Sequence, residues 1–334
     1  NTLHGWNVIF ERTALSKLFG REIPLTMCRD TMLSALYCGY PASLDAAGEA
    51  IGLPQDKRKL TTGKALIKLF CTPTKPTRTN GERVRTYPRN EPEKWNLFKE
   101  YNAQDVVTEM AIANALSAFP VPDEVQEQWV LDQIINQRGV GVDMKLVEGA
   151  LKIGAETHDK LLAEAAEISG LDNPKSVQQL TKWLEKEIPD EMEGVNDLRK
   201  ETVTDLLAAG VKSADAGRML EIRQLLGKTS TKKYDSIARY AGADGRARGL
   251  FQFYGANRTG RWAGRGPQIQ NLPRNYLETL DSARQLVLNG DTESVEMLYG
   301  NVPDTLSQLI RTAFIPSAGR QFIVTDFSAI EARV

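Results

Sequence analysis

Cysteine and histidine are scarce in this 334-residue chain: Cys28, Cys38 and Cys71 are the thiols, and His4 and His158 the imidazoles. No cysteine stands in a Cys-x-x-Cys pair, so a structural zinc site is not expected, and isolated thiols fit a reduced, cytoplasmic compartment. Long apolar runs are missing too. No uninterrupted stretch reaches the ~18 residues needed to span a bilayer. Asn1-Thr2-Leu3-His4 has neither the basic nor the apolar region of a signal peptide, so no membrane partner is expected. An excess of one charge is also absent: 42 Lys and Arg stand against 43 Asp and Glu, so any surface for a polyanion must be local. There is no internal repeat and no low-complexity tract. An initiator Met is lacking as well, which together with an abrupt C-terminus leads us to expect a fragment cut at both ends.

What is present is chain enough for two or three compact units, each with its own core. Thr31 to Tyr37 and Leu44 to Ile51 read as short helices. From Gln55 to Pro92, Lys57, Arg58, Lys59, Lys64 and Lys68 precede Pro73, Pro76, Asn80-Gly81, Arg83, Arg85 and Pro88, predicting a basic helix and then a loop. That segment is either a solvated insertion or a contact to a DNA strand. Helical patterning runs from Ala103 to Phe119, where Pro120 and Pro122 stop it and mark a boundary. In the next helix Leu131, Ile134 and Ile135 share a face, and Gly139 and Gly141 end it. Asp143 is placed to cap a long helix with a stripe of Val147, Leu151, Leu162 and Ala165, ending near Gly170. Ser176 with Gln179 predicts a capping box for a helix carrying Leu180 and Leu184. Leu250 to Tyr254 and Gln321 to Thr325 have strand composition, with two helices between them at roughly 277–288 and 292–298.

Two segments carry chemistry. Arg258, Arg261 and Arg265 alternate with Gly260, Gly264 and Gly266 and lead into Gln270-Asn271-Leu272-Pro273. Glycine lets backbone approach a phosphate, arginine pairs with it bidentately, and amide side chains bond base edges or sugars. A basic, turn-rich loop is the alternative. Further on, Asp326 follows the apolar run Phe322-Ile323-Val324 and precedes Phe327-Ser328-Ala329-Ile330-Glu331. A carboxylate at a strand end suits a two-metal phosphoryl-transfer site, in which two cations lie about 3.5–4 Å apart. Asp326 can equally be a turn residue, and Ser328 with Glu331 is itself a capping box.

The order of these elements is more specific than either alone. Thr259-Gly260-Arg261, then Gln270-Asn271-Leu272-Pro273, then Asp326-Phe327-Ser328-Ala329-Ile330-Glu331 resembles the sequence of motifs in family A DNA polymerases, the bacterial DNA polymerase I type. The lengthened connection over 275–310 looks like phage members of that family. The resemblance implies that Asp326 and the backbone carbonyl of Phe327 bind catalytic Mg²⁺ and that Glu331 excludes a 2′-hydroxyl. It also implies that Arg258, Thr259, Arg261, Gln270 and Asn271 face primer and template. Asn136 to Asp143 is similar to the turn opening the polymerase region, and Asn173 to Leu180 to the family's thumb segment. Arg223, Lys228, Lys232 and Lys233 follow, as phosphate contacts or as a solvated face.

Asn7-Val8-Ile9-Phe10-Glu11 and Tyr101-Asn102-Ala103-Gln104-Asp105 resemble two motifs of the proofreading 3′-to-5′ exonuclease, with Glu11 and Asp105 as metal-site carboxylates and Tyr101 orienting water. Tyr101 can also be core, and Asp105 a carboxylate favoured by the helix dipole. The motif that supplies an Asp-x-Glu pair is not among these residues. The expectation is therefore an α+β, predominantly helical chain in three regions. Residues 1–119 form the C-terminal part of a ribonuclease H-like exonuclease domain, 120–248 a helical thumb, and 249–334 the start of the palm with a helical insertion. Primer-template DNA and deoxynucleoside triphosphates are the implied partners, with an incomplete two-metal Mg²⁺ site and no activity of the chain alone. The other readings are a non-catalytic nucleic-acid-binding protein derived from a polymerase, and a ribonuclease D-like exonuclease.

Overall fold

The computed structural model describes all residues except 59–62, 229–231, 257–258, 326–327 and 329–334. The chain is mostly helical with small sheets, compatible with an α+β fold. In order, the regular elements are β1 (Leu3–Gly5), α1 (Ile9–Phe19), β2 (Cys28–Asp30), α2 (Thr31–Tyr37), α3 (Leu44–Ile51), α4 (Gly63–Cys71), α5 (Pro92–Leu116) and α6 (Asp123–Arg138). Next come β3 (Val140–Val142), α7 (Met144–Ser169), α8 (Val177–Glu187), α9 (Pro189–Met192), α10 (Lys200–Ala209), α11 (Ala214–Leu226), α12 (Lys232–Tyr240) and β4 (Arg246–Ala247). The last are β5 (Phe251–Ala256), β6 (Arg261–Gly264), α13 (Leu280–Asn289), α14 (Thr292–Tyr299), α15 (Val302–Leu309) and β7 (Phe314–Ile315). No helix among the described residues is long and apolar enough to cross a membrane.

Contacts divide the chain into two units, Asn1–Ile135 with Phe251–Ala263, and Asn136–Leu250 with Gly264–Val334. In the first, β1 pairs in parallel with β2, and α2, α3 and α4 pack on α5. One core cluster joins Ala35, Leu44, Ala47 and Leu53 to Ile112 and Leu116; another gathers Val8, Cys28, Leu33, Trp129 and Phe253. The expected helix at 103–119 begins eleven residues earlier, at Pro92, where proline is tolerated because the first turn has no use for its missing N–H. Its early turns are held by aromatic contacts of Trp95 and Phe98 with Phe70 rather than by an aliphatic stripe. On α6 the apolar face expected from Leu131, Ile134 and Ile135 is largely exposed, and the buried residues are Trp129 and Asp132.

In the second unit α7 is the central helix. Asp143 caps it by accepting from the Leu146 N–H at 3.2 Å, and Gly170 ends it in the left-handed conformation. Its buried stripe runs through Leu146, Val147, Ile153, Leu161 and Ala165, one position off the expected Leu162. Ser176 caps α8 through the Gln179 N–H, but the Gln179 amide reaches back to the Asn173 N–H instead of closing a capping box. Leu180 and Leu184 join Met219, Leu220 and Ile222 of α11 in the core. α15 was not foreseen; Pro303 sits in its first turn, where proline is tolerated, and the Asn301 side chain caps it. β3 is sandwiched between β4 and β7 in an antiparallel sheet. The strand expected over 321–325 is instead irregular and exposed, because strand composition yields a strand only where neighbouring backbone groups are available to pair.

Candidate nucleic-acid interface

The Thr259-Gly260-Arg261 segment forms the turn and return strand of the β5–β6 hairpin in the first unit. Glycine is required at 260: φ is +64°, and a Cβ would lie 2.9 Å from the Tyr254 ring. Trp262 anchors the return strand. Its ring packs edge-on against buried Phe253, with centroids 5.0 Å apart, and its indole N–H donates to Asp132 Oδ1 at 2.8 Å. Asp132 is 1% exposed, so this bond is made away from water, where losing it leaves a buried acceptor short of a donor. The anchored strand presents Arg261 and Thr259 at the surface.

The Gln-Asn segment is a 3₁₀ turn over Ile269–Asn271 in the second unit. Gln270 packs on the bare backbone of Gly264, where a Cβ would come within 2.0 Å of its amide oxygen. The Asn271 amide donates to Gln268 Oε1 at 3.2 Å, and both Gln270 and Asn271 are exposed. Behind the turn, Lys233 donates to the Pro267 carbonyl, while the Arg311 guanidinium holds the Leu272 and Pro273 carbonyls at 2.8 Å. Lys228 is engaged: its ammonium lies 2.9 Å from Asp304, both half-buried. Burial pushes the Asp304 carboxyl up, but Lys228, Gln308 and Tyr276 together hold it below the usual carboxylate range. A phosphate reaches Lys228 only in competition with that pair.

The exonuclease-like residues lie in the first unit. Glu11 and Tyr101 come from α1 and α5, with Asp105 one turn beyond Tyr101. Tyr101 is core, 4% exposed and stacked on Phe98, and Asp105 is half-buried. Sequence reasoning missed two carboxylates beside them. Asp30, at the end of β2, accepts from the Asn7 and Met32 N–H groups at 2.9 and 3.0 Å, so it holds the turn before α1 and caps α2. Glu109, one turn past Asp105, is buried and accepts from the Thr31 hydroxyl. The four-residue spacing of 101, 105 and 109 was the available signal for Glu109. Burial raises the Glu11 carboxyl above its ordinary range, with a backbone hydrogen bond opposing and the Glu109 charge adding. Among the described residues no group of three or more His, Cys, Asp or Glu is arranged to hold a metal ion. Arg258, Asp326, Phe327 and Glu331 lie outside the described residues.

Burial pushes Asp30 up to about 7 against the pull of backbone hydrogen bonds, those from Asn7 and Met32 foremost, with the Glu11 charge adding. The folded state therefore keeps a proton that the unfolded chain releases near 3.8. Between those values stability falls as pH rises, by up to about 1.4 kcal/mol per pH unit. Asp30→Asn keeps an acceptor for both N–H groups and removes the charge, so its stability is expected to decline less between pH 5 and 7. Urea unfolding of both proteins, followed by tryptophan fluorescence, checks this; equal slopes would exclude Asp30 as the titrating group.

No family model matches the chain. Over 329 residues, 98% of this chain, the sequence is 46% identical to a protein named DNA polymerase from Bacillus phage SP02. The chain spans 50% of that relative's length.

Proposed function

We propose that these residues serve a family A, phage-type DNA-directed DNA polymerase, with 1–119 an exonuclease remnant, 120–248 a thumb and 249–334 the start of the palm. What carries the reading is the 46% identity to a phage DNA polymerase across almost the whole chain. The exposed Arg261 on its anchored hairpin and the exposed Gln270 and Asn271 on their turn support it, because both present groups suited to phosphates, sugars and base edges. The family resemblance adds Arg258, Thr259 and Lys228 as further contacts to primer-template DNA, Lys228 in competition with Asp304. Asp326 and the Phe327 carbonyl would hold Mg²⁺, which when bound supplies Lewis-acid activation of a primer hydroxyl and neutralises charge on the leaving pyrophosphate. The chain's own groups orient the duplex, and Glu331 restricts the sugar of the incoming deoxynucleoside triphosphate. Glu11, Tyr101 and Asp105 are the remnant of a proofreading site.

Fluorescence anisotropy with a primer-template duplex tests the interface. Arg261→Ala is expected to weaken binding by roughly 10-fold or more, since hydrogen bonds to charged groups are worth about 1.5–3 kcal/mol. The slope of log K against log salt should also become shallower by about 0.9. Affinity and slope unchanged from the parent would remove Arg261 from the interface. For the reaction, the complete gene product is expected to extend a primed template with Mg²⁺ and deoxynucleoside triphosphates. Duplex binding without incorporation would favour the non-catalytic binding protein instead.

A further inference from the structure

We propose that a cavity in the second unit, bounded by α7, α8, α11, α12 and α15, binds a small amphiphilic anion: an unbranched apolar tail ending in one carboxylate or phosphate. The cavity measures about 510 Å³, within the range of roughly 300–1,000 Å³ usual for small-molecule sites. Its floor is apolar, formed by the buried side chains of Leu161, Leu180, Met219 and Leu306. Small residues of α7, Ala150, Gly154 and Ala155, line it too, so the helix surface contributes little volume there. A Cβ at Gly154 would stand 3.7 Å from Leu306 Cδ1, an ordinary contact, so larger side chains at 154 extend into this space.

Charge distinguishes the lining from plain core. The lining includes three cations, Lys175, Arg223 and Lys232, and one carboxylate, Asp235, while its fourth cation, Lys228, is paired with Asp304. The Thr157 hydroxyl, buried in the lining, makes no hydrogen bond to the protein. A tail removes the apolar floor from water, a terminal anion answers the surplus cations, and the hydroxyl offers one further donor. A polyanion without a tail uses only the cations, and a neutral amphiphile only the floor. Both should bind more weakly.

Isothermal titration of the 334-residue chain with decanoate, in the absence of DNA, tests this independently of the polymerase reading. Decanoate is expected to bind at one site, at least 100-fold more tightly than butyrate and at least tenfold more tightly than 1-decanol. Gly154→Leu, which fills the space from α7 with an unchanged circular dichroism spectrum, should weaken decanoate at least tenfold. Arg223→Gln, which removes one cation from the lining, should weaken decanoate tenfold and leave 1-decanol alone. No decanoate binding up to 1 mM, equal affinity for butyrate, or wild-type affinity in both variants would overturn the proposal. Binding to phosphatidylglycerol vesicles without binding of monomeric decanoate would overturn it too, by pointing to a membrane surface instead of a cavity.

Discussion

Alanine in place of Gly149 is expected to destabilise the second unit by about 2 kcal/mol, although alanine is the better helix former by ~1 kcal/mol. The reason is the crossing of α7 and α13: a Cβ at 149 would lie 2.0 Å from the Val287 carbonyl oxygen, with the Val287 carbonyl carbon at 3.0 Å. Those are backbone atoms, so no rotamer change relieves the overlap and α13 must withdraw. Overpacking of this kind costs about 1–3 kcal/mol and occasionally more. Withdrawal also strains polar contacts on either side of the crossing, the Arg284 pair with Asp143 and the Lys152 bond to the Gly290 carbonyl at 3.1 Å. Urea unfolding followed by circular dichroism gives the answer. A variant as stable as the parent would mean that α7 and α13 do not meet backbone to side chain in solution.

Asp326→Ala is expected to lower Mg²⁺-dependent primer extension by the complete gene product about 1,000-fold or more, while duplex affinity changes less than threefold. The size follows from the chemistry proposed for this position: charge stabilisation by a bound cation is worth several kcal/mol, and each 1.36 kcal/mol is tenfold in rate. The split between rate and affinity separates a carboxylate that acts in the chemical step from one that caps a turn. A capping carboxylate would shift the unfolding midpoint and leave the rate per folded molecule intact. If extension survives the substitution, Asp326 is not the metal-binding carboxylate.

Local backbone chemistry was the part of the fold that could be read directly from residues. Asp143, Ser176 and Gly170 mark helix ends because a cap involves groups three or four positions apart. What depends on distant chain was not legible. The stripe Leu131, Ile134 and Ile135 has helical periodicity, but Trp129 and Asp132 are the residues whose partners, Phe253 and Trp262, lie more than a hundred positions away. Asp30 went unmarked in the sequence, and its bond to the Asn7 N–H accompanies the β1–β2 pairing. At the candidate interface, the glycines of the basic segment were recognised as permissive. Their specific tasks, room for the Tyr254 ring at Gly260 and for the Gln270 amide at Gly264, required the fold. The engagement of Lys228 by Asp304 was hidden for the same reason, since one residue lies after α11 and the other in the first turn of α15.

The central position of α7 has a consequence for synthesis on the ribosome. It packs against α11 and α12, which follow within tens of residues, but also against α13, α14 and α15. Leu309, the end of α15, comes 140 residues after Ser169, the end of α7. At roughly 5–20 residues per second, translation of that interval lasts about 7–28 s. During this time α8, α10 and α11 can already bury Leu161 and Ala165, whereas Gly149 waits for Val287 of α13. The nascent chain thus carries a half-covered helix for seconds, and a chaperone that binds apolar helical surface would meet it there first.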